Sequence, residues 1–364
     1  MRIVIDARSM GSRPSGVGMY VYNFIKELMK YDFKIILLSD VEISSQIQEL
    51  KLCNLAVYCY GKPVYQNREV MEYFKYINEK LIELQPELFW EPNALIPINI
   101  KGFKGKIAIT IHDIFPITHS NYYSQIYRFY FTYSIKKAIK QADAIIYNSM
   151  ETKDKTETLY KKAKSKMSLQ GSVIAKDKKL IKNENNVQHY EPFFLYVGNI
   201  EKRKGVDLLI KAYLQYRRDG GNKNLYLVGK MRETDLERLI NKAKQECQAI
   251  YYLGYIEEKE VDELLGACSC FVFPTKAEGF GLPLIEAMEY NKPIIASNLT
   301  IFQEIAESCI NYFELGKDEV HQLCLRMFNY TDEVNTIKYA DVRNRYLGSK
   351  LGLLLSNFFK EIAD

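Results

Sequence analysis

Short apolar runs alternate with helix-length segments along almost the whole chain, and they do so in two successive sets. In the first set, Ile3–Ile5, Lys34–Leu38, Leu55–Cys59, Leu88–Trp90, Ile107–Ile111 and Ala144–Tyr147 read as buried strands. Met19–Lys30, Asn67–Leu84 and Tyr123–Lys140 read as helices between them. The second set predicts strands at Phe193–Val197, Leu225–Val228, Ile250–Leu253, Cys270–Phe273 and Pro293–Ala296. Its helices are predicted at Val206–Arg218, Thr234–Cys247, Lys259–Ala267 and Pro283–Tyr290. Strand followed by helix, repeated, implies mainly parallel sheets covered on both faces. The fold class is therefore α/β: two Rossmann-like doubly wound domains facing across a cleft, where the ligand is expected.

Length agrees with this division. The 364 residues exceed one ordinary core and fit two domains of about 150–180 residues each. The first is placed at 1–180 and the second at 193–340. Between them, the polar stretch Lys176–Glu191, rich in Lys and Asn and ending at Pro192, builds no core and reads as a linker, taken as 181–192. Apolar residues at helical spacing from Val342 to Ile362 read as one long helix, 341–364, returning to the first domain. No run approaches the roughly 20 apolar residues that span a bilayer. The start, Arg2-Ile3-Val4-Ile5, enters a strand without the pattern of a signal peptide. Seven scattered cysteines show no metal-type spacing and read as reduced, so the expected location is the cytoplasm.

The net charge of +5 is mild but uneven: Glu151–Lys182 holds ten lysines against four acidic residues. That stretch is either a solvated helix and loop or a contact for anionic lipid head groups or a lipid-diphosphate acceptor. No aromatic-interleaved basic motif or recognition helix accompanies it, so nucleic acid is not an expected partner. Tyr122–Tyr133 packs seven aromatics into twelve residues. It reads as a helix packed on its sheet, or as a surface for sugar stacking or a membrane interface. Together the two stretches suggest peripheral contact with an anionic membrane at the inner face of the plasma membrane.

Four segments carry chemistry. Glu278-Gly279-Phe280-Gly281-Leu282-Pro283-Leu284-Ile285-Glu286 follows a buried strand and runs into a helix. Proline is harmless in a first helical turn, the glycines permit close backbone approach, and the free N–H groups of the helix start suit an anion. Asp6–Tyr20 leads from a strand through a Gly/Ser/Pro loop to a helix, with Gly16 and Gly18 either admitting an anion or merely serving the turn. Gly198–Val206 sets Lys202, Arg203 and Lys204 beside a helix N-terminus, where the dipole disfavours cations by about 0.3–1 kcal/mol each. A bound diphosphate reverses that sign; a solvated charged loop is the alternative. Thr110-Ile111-His112-Asp113 closes a strand of the first domain and holds one of only four histidines. No Asp-x-Asp pair of the metal-holding kind occurs.

These segments, "PTKAEGFGLPLIEAM", "DARSMGSRPSGVGMY", "TIHDIFP" and "YVGNIEKRKGVDLLIKAY", resemble the retaining nucleotide-sugar glycosyltransferases of the GT-B fold, specifically glycosyltransferase family four and its bacterial polysaccharide mannosyl- and rhamnosyltransferase-like branch. The resemblance covers residues 1–30, 105–149 and 193–312. It implies that Glu286 binds the donor ribose and that Glu278 lies near the transferred sugar, with Gly279, Phe280, Gly281 and Leu282 around it. It further implies that Lys204, helped by Arg203, neutralises the diphosphate while Gly16 and Gly18 approach the phosphates. His112 would face the sugar with Asp113 orienting its ring, and the nucleobase would lie against backbone at Gly254, Tyr255 and Ile256. The implied donor is a nucleotide-diphosphate sugar: GDP-mannose first, dTDP-rhamnose second, with a UDP-sugar as a further alternative. The implied acceptor is a glycan, lipid-linked, in cell-surface polysaccharide synthesis, with no prosthetic group and no metal. Two departures stand out: Asn199 replaces an arginine that many relatives carry after the glycine, and Tyr147-Asn148-Ser149-Met150 alters the usual serine-rich segment. The competing readings are a catalytically inactive nucleotide-sugar-binding partner subunit and a sugar-nucleotide epimerase. The sequence sets no oligomeric state.

Overall fold

Apolar β-branched and aromatic runs this short are stable as strands only when both faces are covered, and the structure covers them with helices on each side. The computed structural model describes residues 1–11, 16–43, 55–64, 67–170 and 190–364. The chain divides into two units, Met1–Lys176 with Tyr346–Asp364, and Asp177–Arg345. Most of the expected linker, 181–189, and the lysine-rich 171–182 lie outside the described residues.

In the first unit the strands are β1 (Arg2–Asp6), β2 (Lys34–Ser39), β3 (Leu55–Cys59), β4 (Leu88–Glu91), β5 (Lys106–Ile111), β6 (Ala144–Tyr147) and β7 (Met167–Leu169). Among the described residues they form one sheet in the order β3-β2-β1-β4-β5-β6-β7, and every pair is parallel. One face packs on the helices Asn67–Leu84 and Gln125–Gln141 through Tyr73, Phe74, Ile77, Leu81, Ile135 and Ile139. Toward the helices Gly16–Leu28 and Gly348–Ala363 lies Trp90, fully buried, with its ring 6.2 Å from that of Phe24 and 5.4 Å from that of Phe359. Each such buried aromatic or aliphatic side chain contributes about 1.5–3 kcal/mol.

Two sequence expectations are corrected here. The first helix begins at Gly16 rather than Met19, because its first turn lies on the 3-10 turn Arg8–Met10. A Cβ on Gly18 would stand 2.1 Å from the Ser9 carbonyl oxygen, so close packing already accounts for that glycine. The C-terminal segment is two helices, Thr336–Arg345 and Gly348–Ala363, broken at Tyr346-Leu347. The break lets the second helix cross Glu27 closely: Cβ atoms on Gly348 and Gly352 would stand 2.7 and 2.5 Å from Glu27 atoms. Only the second helix belongs to the first unit.

In the second unit the strands are β8 (Phe193–Val197), β9 (Asn224–Val228), β10 (Ile250–Gly254), β11 (Cys270–Phe273), β12 (Ile294–Ser297) and β13 (Asn311–Phe313). Their order is β10-β9-β8-β11-β12-β13, again parallel throughout among the described residues. The helices Val206–Arg218, Thr234–Glu246, Glu258–Ala267 and Leu282–Glu289 match expectation to within a residue at either end. The three-residue strands β7 and β13, and the helices Met150–Leu159, Thr300–Ala306 and Glu319–Asn329, were not predicted. Each sheet reverses its direction of growth once, between β1 and β4 and between β8 and β11. Ligands of open parallel sheets bind outside the carboxyl ends of the strands at such a switch point.

Candidate active site

At the second unit's switch point, β8 is followed by a loop with a 3-10 turn at Lys202–Lys204, and β11 by the loop Pro274–Gly281 that opens the helix Leu282–Glu289. The two loops are knitted together. Lys276 N–H donates to the Arg203 carbonyl at 2.8 Å, and the Thr275 hydroxyl reaches the same oxygen at 3.3 Å. Arg203 Nη1 donates back to the Ala277 carbonyl at 2.8 Å. Gly205, at φ +69°, passes so near Pro274 that a Cβ would stand 1.9 Å from its carbonyl oxygen. Across this seam Lys204 forms an ion pair with Glu278, the two side chains 14% and 15% exposed. The Lys204 ammonium also lies 5.6 Å from the centre of the Phe273 ring. Lys204 and Glu278 are therefore brought together, and each fixes the other.

Each of the three cations Lys202, Arg203 and Lys204 has a carboxylate partner. Lys202 pairs with Asp235 at 3.5 Å, Arg203 with Glu201 at 2.6 Å, and Lys204 with Glu278. Charge near a helix start is thus balanced within the protein, and the dipole argument alone does not demand a diphosphate. Arg203 is a strap between the loops, its guanidinium held by Glu201 and Ala277, while Lys204 stands at the strand ends.

Glu286 differs from Glu278. It is half-buried on the helix Leu282–Glu289 and makes no hydrogen bond or ion pair among the described residues. Its carboxylate oxygens are not among the buried, unsatisfied atoms, so they are open to solvent and available to accept bonds from a ligand hydroxyl. Gly281, at φ +110°, caps the helix and Pro283 occupies its first turn. Gly279 and Leu282 are half-buried, whereas Phe280 is 5% exposed, so its ring belongs to the core and only its backbone is offered to a ligand. At the end of β10, Gly254 has open space around its α-carbon, Tyr255 is exposed and Ile256 half-buried. Asn199 accepts the Tyr196 hydroxyl on its carbonyl at 2.8 Å.

The first unit's switch point holds a charged cluster that sequence reasoning missed. Asp6 at the end of β1 accepts from the Arg8 amide at 3.1 Å, from Arg8 Nε at 2.9 Å and from the Tyr73 hydroxyl at 3.0 Å. Arg8 also lies 3.6 Å from Glu91 at the end of β4 and over the rings of Tyr73 and Phe74, 5.0 and 4.7 Å from their centres. Glu91 is fully buried; lack of solvent first, and then Asp6, push its carboxyl up to about 8. The cluster fixes the Arg8–Met10 turn on which Gly18 rests. Its signal was an unbroken apolar strand ending in Asp6 and another ending in Glu91. Residues 12–15 of the glycine-containing loop lie outside the described residues. Gly16 beyond them is exposed, with open space around its α-carbon.

His112 follows β5. Its Nε2 lies 2.7 Å from the Pro92 carbonyl and its Nδ1 2.7 Å from the Asn148 amide nitrogen. A carbonyl only accepts, so Nε2 carries the proton and Nδ1 accepts from Asn148. The ring meets Tyr20 edge-on at 4.7 Å, and burial pulls its pKa down to about 4. The orienting place expected for Asp113 is filled by Pro92 and Asn148, since Asp113 Oδ1 accepts the Phe115 N–H at 3.0 Å, starting the short helix Phe115–Thr118. Among the described residues, no group of three or more His, Cys, Asp or Glu side chains is placed to hold a metal ion.

Comparison with known proteins agrees with this architecture. The family model described as Glycosyltransferase Family 4 matches residues 14–169, and that described as Glycosyl transferases group 1 matches residues 177–313. The serotype-specific mannosyltransferase WbdA of Escherichia coli is 34% identical over 125 residues, which are 34% of this chain but only 15% of that protein's length. The O-antigen chain mannosyltransferase B of the same species is 22% identical over 339 residues, 84% of each chain. In fold, the chain is similar to Anabaena HepE, whose crystal structure is a complex with UDP-glucose: TM-score 0.76, 15% identity, 99% of this chain and 100% of that one covered. Two consecutive family models over most of the chain, on two parallel doubly wound sheets, lead to one conclusion: the chain belongs to the family-four glycosyltransferases of the GT-B fold.

Proposed function

We propose that the protein is a retaining hexosyl- or deoxyhexosyltransferase that moves a sugar from a nucleotide-diphosphate donor to a glycan, lipid-linked, in the synthesis of an O-antigen or capsule-like surface polysaccharide. The observation that carries this reading is the Lys204–Glu278 seam at the β8/β11 switch point, with the unpartnered Glu286 eight positions further along. In this reading Glu286 accepts from the donor ribose hydroxyls. Lys204 and the N–H groups at the start of Leu282–Glu289 stabilise the diphosphate as its negative charge grows. Glu278 holds Lys204 in place and faces the transferred sugar. The nucleobase rests on the open backbone of Gly254–Ile256, and the exposed helix start at Gly16 is assigned to a phosphate. The bond from anomeric carbon to phosphate oxygen breaks, the acceptor oxygen bonds to the same face, and the departing diphosphate takes the acceptor's proton. The names of the mannosyltransferase relatives support GDP-mannose as the first donor to test, with dTDP-rhamnose second.

A donor panel scored by released nucleoside diphosphate tests the reading. GDP-mannose should turn over only with acceptor present. Conversion of the donor to its epimer without acceptor and without released nucleoside diphosphate, read by chromatography of the nucleotide-sugar, would reveal an epimerase, and no turnover with any donor an inactive partner. Glu286→Ala should chiefly weaken the free nucleotide, by about tenfold or more, as expected for loss of a charged hydrogen bond. Unchanged affinity by calorimetry would remove Glu286 from the site.

A lipid-linked acceptor places the enzyme at a membrane, and no helix among the described residues is long and apolar enough to cross one. The helix Gln125–Gln141 supports peripheral contact instead. Ile126, Phe129 and Tyr133 are 75%, 77% and 48% exposed on it, and Arg128, Lys136, Lys137 and Lys140 lie along the same helix. Exposed apolar anchors with cations suit an anionic lipid surface. The protein should sediment with phosphatidylglycerol vesicles but not phosphatidylcholine ones, and Phe129→Glu should release it. Equal sedimentation with both lipids would contradict the charge argument.

A further inference from the structure

The carboxyl ends of β5 and β6 are tied together around one imidazole. Asn148, immediately after β6, is 6% exposed and gives an amide N–H to His112 Nδ1 at 2.7 Å. Its Oδ1 is buried and has no hydrogen-bond partner. The neighbouring Ser149 caps the helix Met150–Leu159 by accepting the Thr152 N–H at 3.1 Å, and the Thr152 hydroxyl donates to the His112 carbonyl at 3.4 Å. The backbone of His112 is thus held by one residue of that turn and its ring by another. A buried amide that leaves its oxygen unsatisfied to place its nitrogen on a histidine is costly, and such a cost persists where the contact it makes is used.

We propose that Asn148 is a positioning residue that locks His112 as the uncharged, Nε2-protonated imidazole. The logic is electrostatic. With Nε2–H donating to Pro92, a second proton could enter only at Nδ1, where Asn148 already presents a hydrogen. Protonation would need the amide to turn over and set its oxygen on the ring. Burial itself opposes a charge on the ring, Tyr20 meets it edge-on, and the carboxylate of Asp113, next in sequence, accepts the Phe115 N–H. If His112 faces the transferred sugar, as the family resemblance implies, an imidazolium would raise the barrier as the sugar becomes oxocarbenium-like, because like charges repel. A neutral ring leaves the positive charge to develop unopposed. The catalytic half of this inference rests on the glycosyl-transfer reading; the tautomer half does not.

The test is nitrogen NMR of the full-length protein labelled with 15N-histidine, in which only four histidines contribute and His112→Gln identifies the signal. The expected result is an Nε2–H tautomer of His112 that does not titrate between pH 5.5 and 8. An Nδ1–H tautomer, or ordinary titration near pH 6.5, would overturn the proposal. Asn148→Asp places an acceptor on Nδ1 and should convert the ring to an imidazolium that titrates within that range. Asn148→Leu, which offers neither donor nor acceptor, should keep the Nε2–H on Pro92 but leave Nδ1 open, so that the ring takes up a proton at a higher pH than in the unaltered protein. An Asn148→Leu ring that resists protonation as firmly as in the unaltered protein would show that Asn148 does not hold it neutral. In transfer assays Asn148→Asp should lose about 10- to 100-fold in kcat at pH 7, the scale of one misplaced charge in a preorganised site, and recover as the ring deprotonates, with KM for the donor unchanged. A pH-independent loss would reduce Asn148 to a structural role. Because the tautomer is read without turnover, a wrong donor or acceptor does not alter what the NMR spectrum says of His112.

Discussion

Replacing Lys204 with alanine is expected to lower kcat/KM for transfer by roughly 10²–10³, the scale of removing one preorganised charged donor. Two effects act in the same direction. The leaving diphosphate loses an ammonium at the strand ends, and Glu278, 15% exposed and paired with Lys204, is left as an uncompensated carboxylate beside the phosphate path. Glu278→Gln separates them: it leaves the Lys204 ammonium to be compensated by the diphosphate, so donor affinity should hold or rise while kcat falls through the lost contact to the sugar. The double variant should lose less than the two single losses summed, because the residues act as one pair. Steady-state kinetics at saturating acceptor would measure all three. Near-normal transfer by Lys204→Ala would sink the assignment, and strict additivity would mean that the pair does not act as a unit.

Thermal unfolding of the same variants separates catalysis from structure. The pair is mostly shielded yet still in contact with solvent, so its loss should cost about 1 kcal/mol, far less than the catalytic effect. Arg203 gives the opposite expectation from its structure: it bonds to Ala277 and Glu201 and straps the loops, so it contributes through their geometry.

The strands were legible because parallel strands buried on both faces must be continuous apolar runs, and such runs as Ile3-Val4-Ile5 and Cys270-Phe271-Val272-Phe273 have no other home in an α/β fold. The elements that escaped detection are those whose stability comes from elsewhere. The helix Met150–Leu159 is built of Lys, Glu and Thr; Ser149 caps it, and the buried Thr152 and Thr156 hold it down. Strand β7 has three residues within a lysine-rich stretch, and pairing with β6 rather than composition makes it a strand. In the candidate site, Lys204, Glu278 and Glu286 were legible as residue types at a known spacing. Their partners were not, since Lys204 and Glu278 are 74 positions apart and meet only when β8 and β11 become neighbours. The same holds for Asn148 and His112, 36 positions apart and just beyond the ends of adjacent strands. A sequence shows which groups can react; the strand order decides which of them are held together.

That dependence gives the largest expected structural effect, at Gly205. The residue has φ +69° and sits where an added Cβ would stand 1.9 Å from the Pro274 carbonyl oxygen, a backbone atom that cannot rotate away. Gly205→Ala therefore combines the left-handed penalty of about 1–2 kcal/mol with a steric conflict relieved only by parting the loops. Parting them would cost the Lys276–Arg203, Thr275–Arg203 and Arg203–Ala277 hydrogen bonds and the Lys204–Glu278 pair at once. The expected loss is roughly 3–5 kcal/mol, a fall of about 10 °C or more in the melting temperature of a unit this size. Gly254 is the control, because it has nearly the same dihedral, φ +70°, but open space around its α-carbon. Gly254→Ala should cost only about 1–2 kcal/mol, the backbone penalty alone. If the two variants melt together, the loops do not approach as closely as the structure has them. If Gly205→Ala melts far lower and Gly205→Asn, which tolerates the left-handed region, does no better, the contact with Pro274 rather than the dihedral is what holds the two loops in one piece.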